Sequence, residues 1–143
     1  MIGIALSLAA AAPQSAVTLT DIRMQLYYGG SGRLGSNLPQ DFGGWNIPIG
    51  AGDAEGNADD LLVAAELQTG GEEFVQTPLR MIVTGERGKV LASRQFRSFL
   101  IPEGGRLYLP VWIPSAGCAG KIKVSVRFGT QHKSKTIELR CGE

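Results

Sequence analysis

The sequence predicts an all-β fold: a single-domain, antiparallel, two-sheet sandwich of about seven strands that also carries a long Gly-rich loop. Three observations lead to this prediction. Several segments alternate polar and apolar residues, which is the period of a half-buried strand. Turn residues separate these segments at short intervals. The chain of 143 residues contains 20 glycines and 7 prolines, and this length suits one domain with its own core.

The last part of the sequence, residues 121–140, is predicted to form a β-hairpin. Residues 121–128 alternate polar and apolar side chains without interruption, and residues 133–140 form a second strand after a short polar connection. Pairing Phe128 with Lys133 places the apolar side chains of both strands on one face, as a well-specified register requires. This register sets the following residues opposite each other: Val124 with Ile137, Ile122 with Leu139, and Gly120 with Cys141.

The two cysteines of the chain, Cys118 and Cys141, lie at the open end of this hairpin. We therefore predict a structural disulfide that stabilises the fold by about 3 to 4 kcal/mol on the chain-entropy model. The alternatives are two reduced thiols or a pair of metal ligands. Because the chain has one histidine, remote from any acidic cluster, zinc would lack a ligand set, and no metal or cofactor is predicted.

The remaining strands are predicted at residues 17–28, 61–68, 79–84, 89–100 and 106–113. Residues 61–68 also fit a helix, since Leu, Ala, Glu and Gln favour helices, but their alternating apolar positions favour a strand. The alternation slips between Arg94 and Ser98, which indicates a bulge or a bend. Pro110 has no N–H to donate, so its strand should lie at a sheet edge or be broken there.

Residues 1–16 have the pattern of a signal peptide, because residues 2–12 are apolar and small residues follow them. This segment is too short to span a bilayer, so no transmembrane span is predicted after its cleavage. A disulfide suits an oxidising compartment. We therefore expect residues 17–143 to form the mature β-sandwich domain, in a periplasmic or secreted location.

The Gly-rich loop, residues 29–60, is the candidate recognition surface and contains nine glycines and two prolines. We expect a short strand near residues 45–49, because long structureless loops are uncommon in compact domains. Trp45, with Phe42 and Asp41 beside it, fits either an anchor for a macromolecular partner or a stacking platform for a sugar ring. The competing interpretation is that Trp45 fills the core beneath the loop. Trp112 has the same two interpretations, with an exposed face on an edge strand as the binding one.

The charge pattern divides the chain into an acidic and a basic part. Eight acidic residues lie between positions 41 and 73 with no Lys or Arg among them, whereas the final hairpin is basic. This pattern fits an acidic loop over a basic sheet face, or a dipolar subunit that associates head to tail. Residues 53–60 could hold calcium, but they lack the Gly and the Glu of an EF-hand loop. A net charge of +1, and no aromatic residues between the hairpin's lysines, argue against nucleic acid.

The sequence predicts a protein that is not an enzyme. It contains no Ser nucleophile motif, P-loop or dinucleotide fingerprint. The order of strands is similar to immunoglobulin-like domains in a loose, architectural sense, although the two cysteines flank the last two strands and do not bridge the sheets. We expect an exported β-sandwich with a non-catalytic binding or structural role and a protein as its macromolecular partner. The alternative is a carbohydrate- or metal-binding module that uses residues 29–60.

Overall fold

A computed structural model describes residues 16–50 and 56–142, and in this part of the chain nearly all regular structure is β, as predicted. Seven strands have six residues or more, and four are shorter. The strands are β1 Thr18–Tyr28, β2 Arg33–Leu34, β3 Gly43–Trp45, β4 Ala58–Gln68, β5 Glu73–Val75, β6 Leu79–Thr84, β7 Val90–Phe96, β8 Phe99–Ile101, β9 Arg106–Ile113, β10 Gly120–Phe128 and β11 Gln131–Arg140. Two short 3-10 helices span Ile47–Ile49 and Glu86–Gly88.

The strands form two large sheets that enclose one core, which confirms the predicted sandwich. One sheet has four strands in the order β2-β1-β4-β9, and the other has five in the order β3-β11-β10-β6-β7. The strands β5 and β8 form a separate two-stranded ribbon. All pairs are antiparallel except β3 with β11, which run parallel over three residues. Buried side chains from both sheets belong to a single apolar cluster.

The segment that fitted either a helix or a strand is β4, the inner strand between β1 and β9. Its core face carries Leu61, Val63 and Leu67, all fully buried. Its opposite face is also covered in part, because Ala64 and Glu66 have exposed fractions of only 5% and 9%. A strand buried on both faces carries apolar residues on both of them, and here these include Leu and Ala residues that also favour helices.

The final hairpin is present, but its predicted register was wrong by two residues. Phe128 pairs with Gln131, and Ile122 pairs with Ile137. The connection therefore shortens to two residues and begins with Gly129, whose φ of 58° is a conformation that glycine adopts without strain. Because side chains alternate with a period of two, a shift by two residues leaves the same apolar set facing the core.

The corrected register places the cysteines directly opposite each other, beyond the last paired residues, Gly120 and Leu139. Cys118 and Cys141 form a disulfide with a Cα–Cα distance of 5.1 Å, so the predicted pairing is confirmed. The bridge fastens the open end of the β10–β11 hairpin and leaves no free cysteine in the described chain.

The loop between β1 and β4 runs across one edge of the sandwich and contacts both sheets. The Leu38 N–H donates to the Met24 carbonyl at 2.8 Å, on one sheet, and the Asp41 N–H donates to the Thr136 carbonyl at 2.8 Å, on the other. The short strand expected near residues 45–49 is instead β3, which ends at Trp45, followed by a 3-10 turn. Pro48 lies in that turn and has no N–H for a ladder. Residues 51–55 and the predicted signal peptide, except for residue 16, lie outside the described residues.

The phase slip after Arg94 corresponds to a change of partner. Strand β7 ends at Phe96, and β8 leaves the five-stranded sheet to pair with β5. In the described chain no helix is long and apolar enough to cross a membrane.

One lysine of the basic hairpin, Lys135, faces the interior, so the hairpin's basic residues do not all lie on its outer face. Only 7% of Lys135 is exposed, and its Nζ donates to the Ile22 carbonyl and to Asn37 Oδ1, both at 2.9 Å. These bonds join β11 to β1 and to the loop at the edge of the sandwich. A groove of about 520 Å³ lies beside this lysine.

This buried lysine leads to a pH-dependent prediction. Burial lowers the pKa of Lys135 below its ordinary value of 10.5; Asp21 opposes this effect, and Arg23 adds to it. The cost of the buried charge is therefore complete at neutral pH and is relieved as the pH rises through the folded-state pKa. We expect the free energy of unfolding of the wild type to rise, relative to that of Lys135→Met, between pH 7 and pH 10.

Urea denaturation at several pH values measures this difference. Lys133→Met is the matched control, because it removes an exposed lysine from the same strand. A difference between wild type and Lys135→Met that stays constant from pH 7 to pH 10 would contradict the assignment.

Candidate functional site

The outer face of the four-stranded sheet combines aromatic and polar side chains and is the candidate binding site. We call it the outer aromatic face. The cross-strand register arranges its residues in rows, because Arg23, Ala64 and Pro110 are aligned, as are Gln25, Leu62 and Trp112. It consists of Arg23, Gln25 and Tyr27 of β1, Asp60, Leu62, Ala64 and Glu66 of β4, and Arg106, Tyr108, Pro110 and Trp112 of β9.

Trp112 is exposed and held in one orientation. Its exposed fraction is 43%, and its indole Nε1 donates to Asp60 Oδ2 at 3.0 Å. Asp60 is itself fixed, because its Oδ1 accepts the Ser115 N–H at 3.0 Å. The ring of Tyr27 meets Trp112 edge-on, with ring centroids 5.1 Å apart. Trp112 therefore presents a flat apolar surface whose position is set before any ligand arrives.

Tyr108 is the second exposed aromatic residue of the outer aromatic face, with an exposed fraction of 39%. The guanidinium carbon of Arg23 lies 5.4 Å from the centre of its ring, which is a cation–π distance. Arg23 and Tyr108 belong to the two strands that flank β4, so the arginine crosses over β4. The small side chain of Ala64, aligned with Arg23, leaves room for this crossing.

A shallow cavity of about 250 Å³ lies between Arg23 and Tyr108 on the outer aromatic face. Its walls are mainly apolar and are formed by Arg23, Gln25, Leu62, Ala64, Tyr108 and Pro110. A concave apolar surface with a few polar groups is the usual form of a ligand site.

The carboxylates of the outer aromatic face are already engaged. Glu66 Oε1 accepts the Gln68 side-chain amide at 2.9 Å and lies 3.4 Å from Arg106 Nε. Asp60 supports Trp112, as described above. Both carboxylates therefore position neighbouring side chains and are not arranged as a free acid–base pair.

Pro110 lies in the edge strand of the four-stranded sheet, as its missing N–H predicted. Its carbonyl accepts a hydrogen bond from Arg94 Nη1 at 2.9 Å. Arg94 belongs to β7, the edge strand of the other sheet, so this bond joins the two sheets along one side of the sandwich.

The three residues predicted from the Gly-rich loop differ in their surroundings. Trp45 has an exposed fraction of 54%, so it does not fill the core, and its ring lies against Gly142. Phe42 packs against the core cluster. Asp41 is exposed, with a φ of 62°. Trp45 thus offers an exposed ring, whereas Phe42 is directed to the core.

In residues 16–50 and 56–142 no group of three His, Cys, Asp or Glu side chains converges. Asp53 and Glu55 lie outside the described residues. Asp60, at the end of the segment, holds Trp112.

The sequence predicted Trp112 on an edge strand, but not the outer aromatic face as a whole. The alternation of Arg23 and Tyr27, and that of Tyr108 and Trp112, was visible in the sequence. What was missing was the order β1-β4-β9, which brings residues more than 80 positions apart onto one surface.

The fold is that of a β-sandwich domain, and several solved structures are similar to this chain. A solved structure described as the C-terminal domain of wzt is similar to this chain, with a TM-score of 0.44 and 10% sequence identity, over 91% of this chain and 75% of that chain. No protein-family model and no curated protein matches the chain.

Proposed function

We propose that this protein is an exported, non-catalytic carbohydrate-binding module whose ligand lies on the outer aromatic face. The observation that carries this proposal is the exposed, fixed ring of Trp112, held by Asp60 Oδ2 at 3.0 Å. A rigid aromatic face suits the C–H surface of a pyranose ring, and polar groups beside it suit the hydroxyl groups.

The spacing of the two rings favours an oligosaccharide over a single sugar. Tyr108 and Trp112 are four residues apart on one strand, which corresponds to about 13 Å. A ligand that contacts both rings must therefore be an extended chain. Gln25 and Arg106, on the same face, provide hydrogen-bond donors along its length.

Export and the absence of catalysis are parts of the same proposal. The Cys118–Cys141 disulfide and the signal-like residues 1–16 support an oxidising compartment. The engagement of Asp60 and Glu66 in positioning other side chains supports binding without chemistry.

A glycan array with the purified protein tests the proposal, with Trp112→Ala as the variant. We expect binding to at least one oligosaccharide class and a loss of about tenfold or more in affinity on removing Trp112, since tenfold corresponds to about 1.4 kcal/mol. Isothermal titration calorimetry on the best ligand measures the loss.

Trp45→Ala is the matched control, because it removes the other exposed tryptophan from a different surface. An affinity that depends on Trp45 and not on Trp112 would place the site on the Gly-rich loop and contradict the proposal. Absence of any glycan ligand, together with Trp112-dependent capture of a protein, would establish the protein-binding role instead.

A further inference from the structure

We infer that the oligosaccharide is acidic and that Arg23 binds its carboxylate; this inference rests on the proposed function. The cavity between Arg23 and Tyr108 is the place where that carboxylate would lie.

Arg23 has no carboxylate partner in the described chain. Ion pairs join Arg106 with Glu66, and Arg140 with Glu86 and Glu138. The Nε of Arg23 is buried and has no hydrogen-bond acceptor among these residues. A buried N–H without an acceptor costs free energy, and the contact that the structure shows for this guanidinium is the one with the Tyr108 ring.

The carboxylates near Arg23 are committed elsewhere. Asp21, two residues earlier, accepts the Ile22 N–H at 2.8 Å and the Asn37 side-chain amide at 3.0 Å. Glu66 accepts from Gln68 and lies beside Arg106. Neither Asp21 nor Glu66 forms an ion pair with Arg23. An anionic ligand could therefore bind Arg23 without displacing a carboxylate of the protein.

The shape of the site favours a carboxylate on a sugar ring. Arg23 lines the open cavity together with Tyr108 and Pro110, and its guanidinium is already oriented by the Tyr108 ring. A guanidinium offers a planar fork of donors that matches the two oxygens of a carboxylate. A uronic acid whose ring lies against Tyr108 would place its carboxylate beside the guanidinium of Arg23.

Oligogalacturonate, oligomannuronate and hyaluronate oligomers are the probes, each compared with its neutral methyl ester. We expect the acid to bind at least about tenfold more tightly than its ester, with a preference that decreases as salt is added. In the Arg23→Gln variant the ratio of the affinity for the acid to the affinity for its ester should fall close to one. The ratio of acid to ester is the readout, because a general disturbance of Tyr108 would weaken both ligands alike.

Arg127→Gln is the matched control: it removes an exposed arginine from the five-stranded sheet and should leave the ratio unchanged. Equal binding of acid and ester would overturn the inference and leave the carbohydrate proposal standing, as would a stronger preference for sulfated over carboxylated oligomers. Absence of binding to acidic and neutral oligomers, and to every glycan of the array, would overturn both.

Discussion

The Ile137→Asp variant is expected to lose its cooperative thermal unfolding transition. Ile137 is fully buried in the β10–β11 hairpin, and it belongs to the core cluster that both sheets share. An aspartate at this position would lose the apolar contacts of isoleucine and bury a charge with no partner, which costs several kcal/mol. A domain of this size has only about 5–15 kcal/mol of total stability. Circular dichroism during heating measures the transition.

Two control variants distinguish the effect of burying a carboxylate from the effect of merely introducing one or of changing Ile137. Ser134→Asp introduces the same carboxylate at an exposed position of the same strand and should melt close to wild type. Ile137→Val should cost only about 0.5 to 1.5 kcal/mol. A normal melting curve for Ile137→Asp would show that the hairpin presents its other face to the core.

Removing the disulfide is expected to have the next largest effect. The bridge joins residues 23 positions apart, so the double variant Cys118→Ser/Cys141→Ser should lose about 3 kcal/mol by the chain-entropy model. The fold should persist, because the hairpin retains its ladder and its buried face. Urea denaturation of both proteins without reductant measures the difference.

Reducing the wild type provides an independent check. Wild type in dithiothreitol should approach the stability of the double serine variant, whose own stability should not respond to the reductant. Equal stabilities of oxidised wild type and double variant would mean that the bridge contributes nothing beyond the hairpin's other contacts.

Most strands could be predicted from the sequence, because a strand with one buried face alternates polar and apolar residues whatever its neighbours are. Residues 79–84 and 106–113 were predicted with the bounds that the structure has. Strand β4 was ambiguous because its Leu, Ala, Glu and Gln residues also favour a helix, although its apolar positions alternate as in a strand. The hairpin register was predicted two residues out, since alternation is unchanged by an even shift.

The candidate site was less predictable, because it depends on which strands are neighbours. Trp112 was recognised as a possible exposed platform, but its contact with Asp60 joins positions 52 apart in sequence. The position of Arg23 over Tyr108 depends on the small size of Ala64 between them. The burial of Lys135 also escaped prediction, because its hydrogen-bond acceptors, Ile22 and Asn37, come from a distant strand and the loop.

Pro110 has a consequence for association between molecules. An edge strand with free N–H and carbonyl groups is a template on which another chain can extend the sheet. At Pro110 the nitrogen has no hydrogen to donate, and the carbonyl is occupied by Arg94. Intermolecular strand addition along β9 would thus be interrupted at its middle. A concentrated solution of this protein should therefore resist fibril growth from this edge, while the broad surface beside it stays accessible.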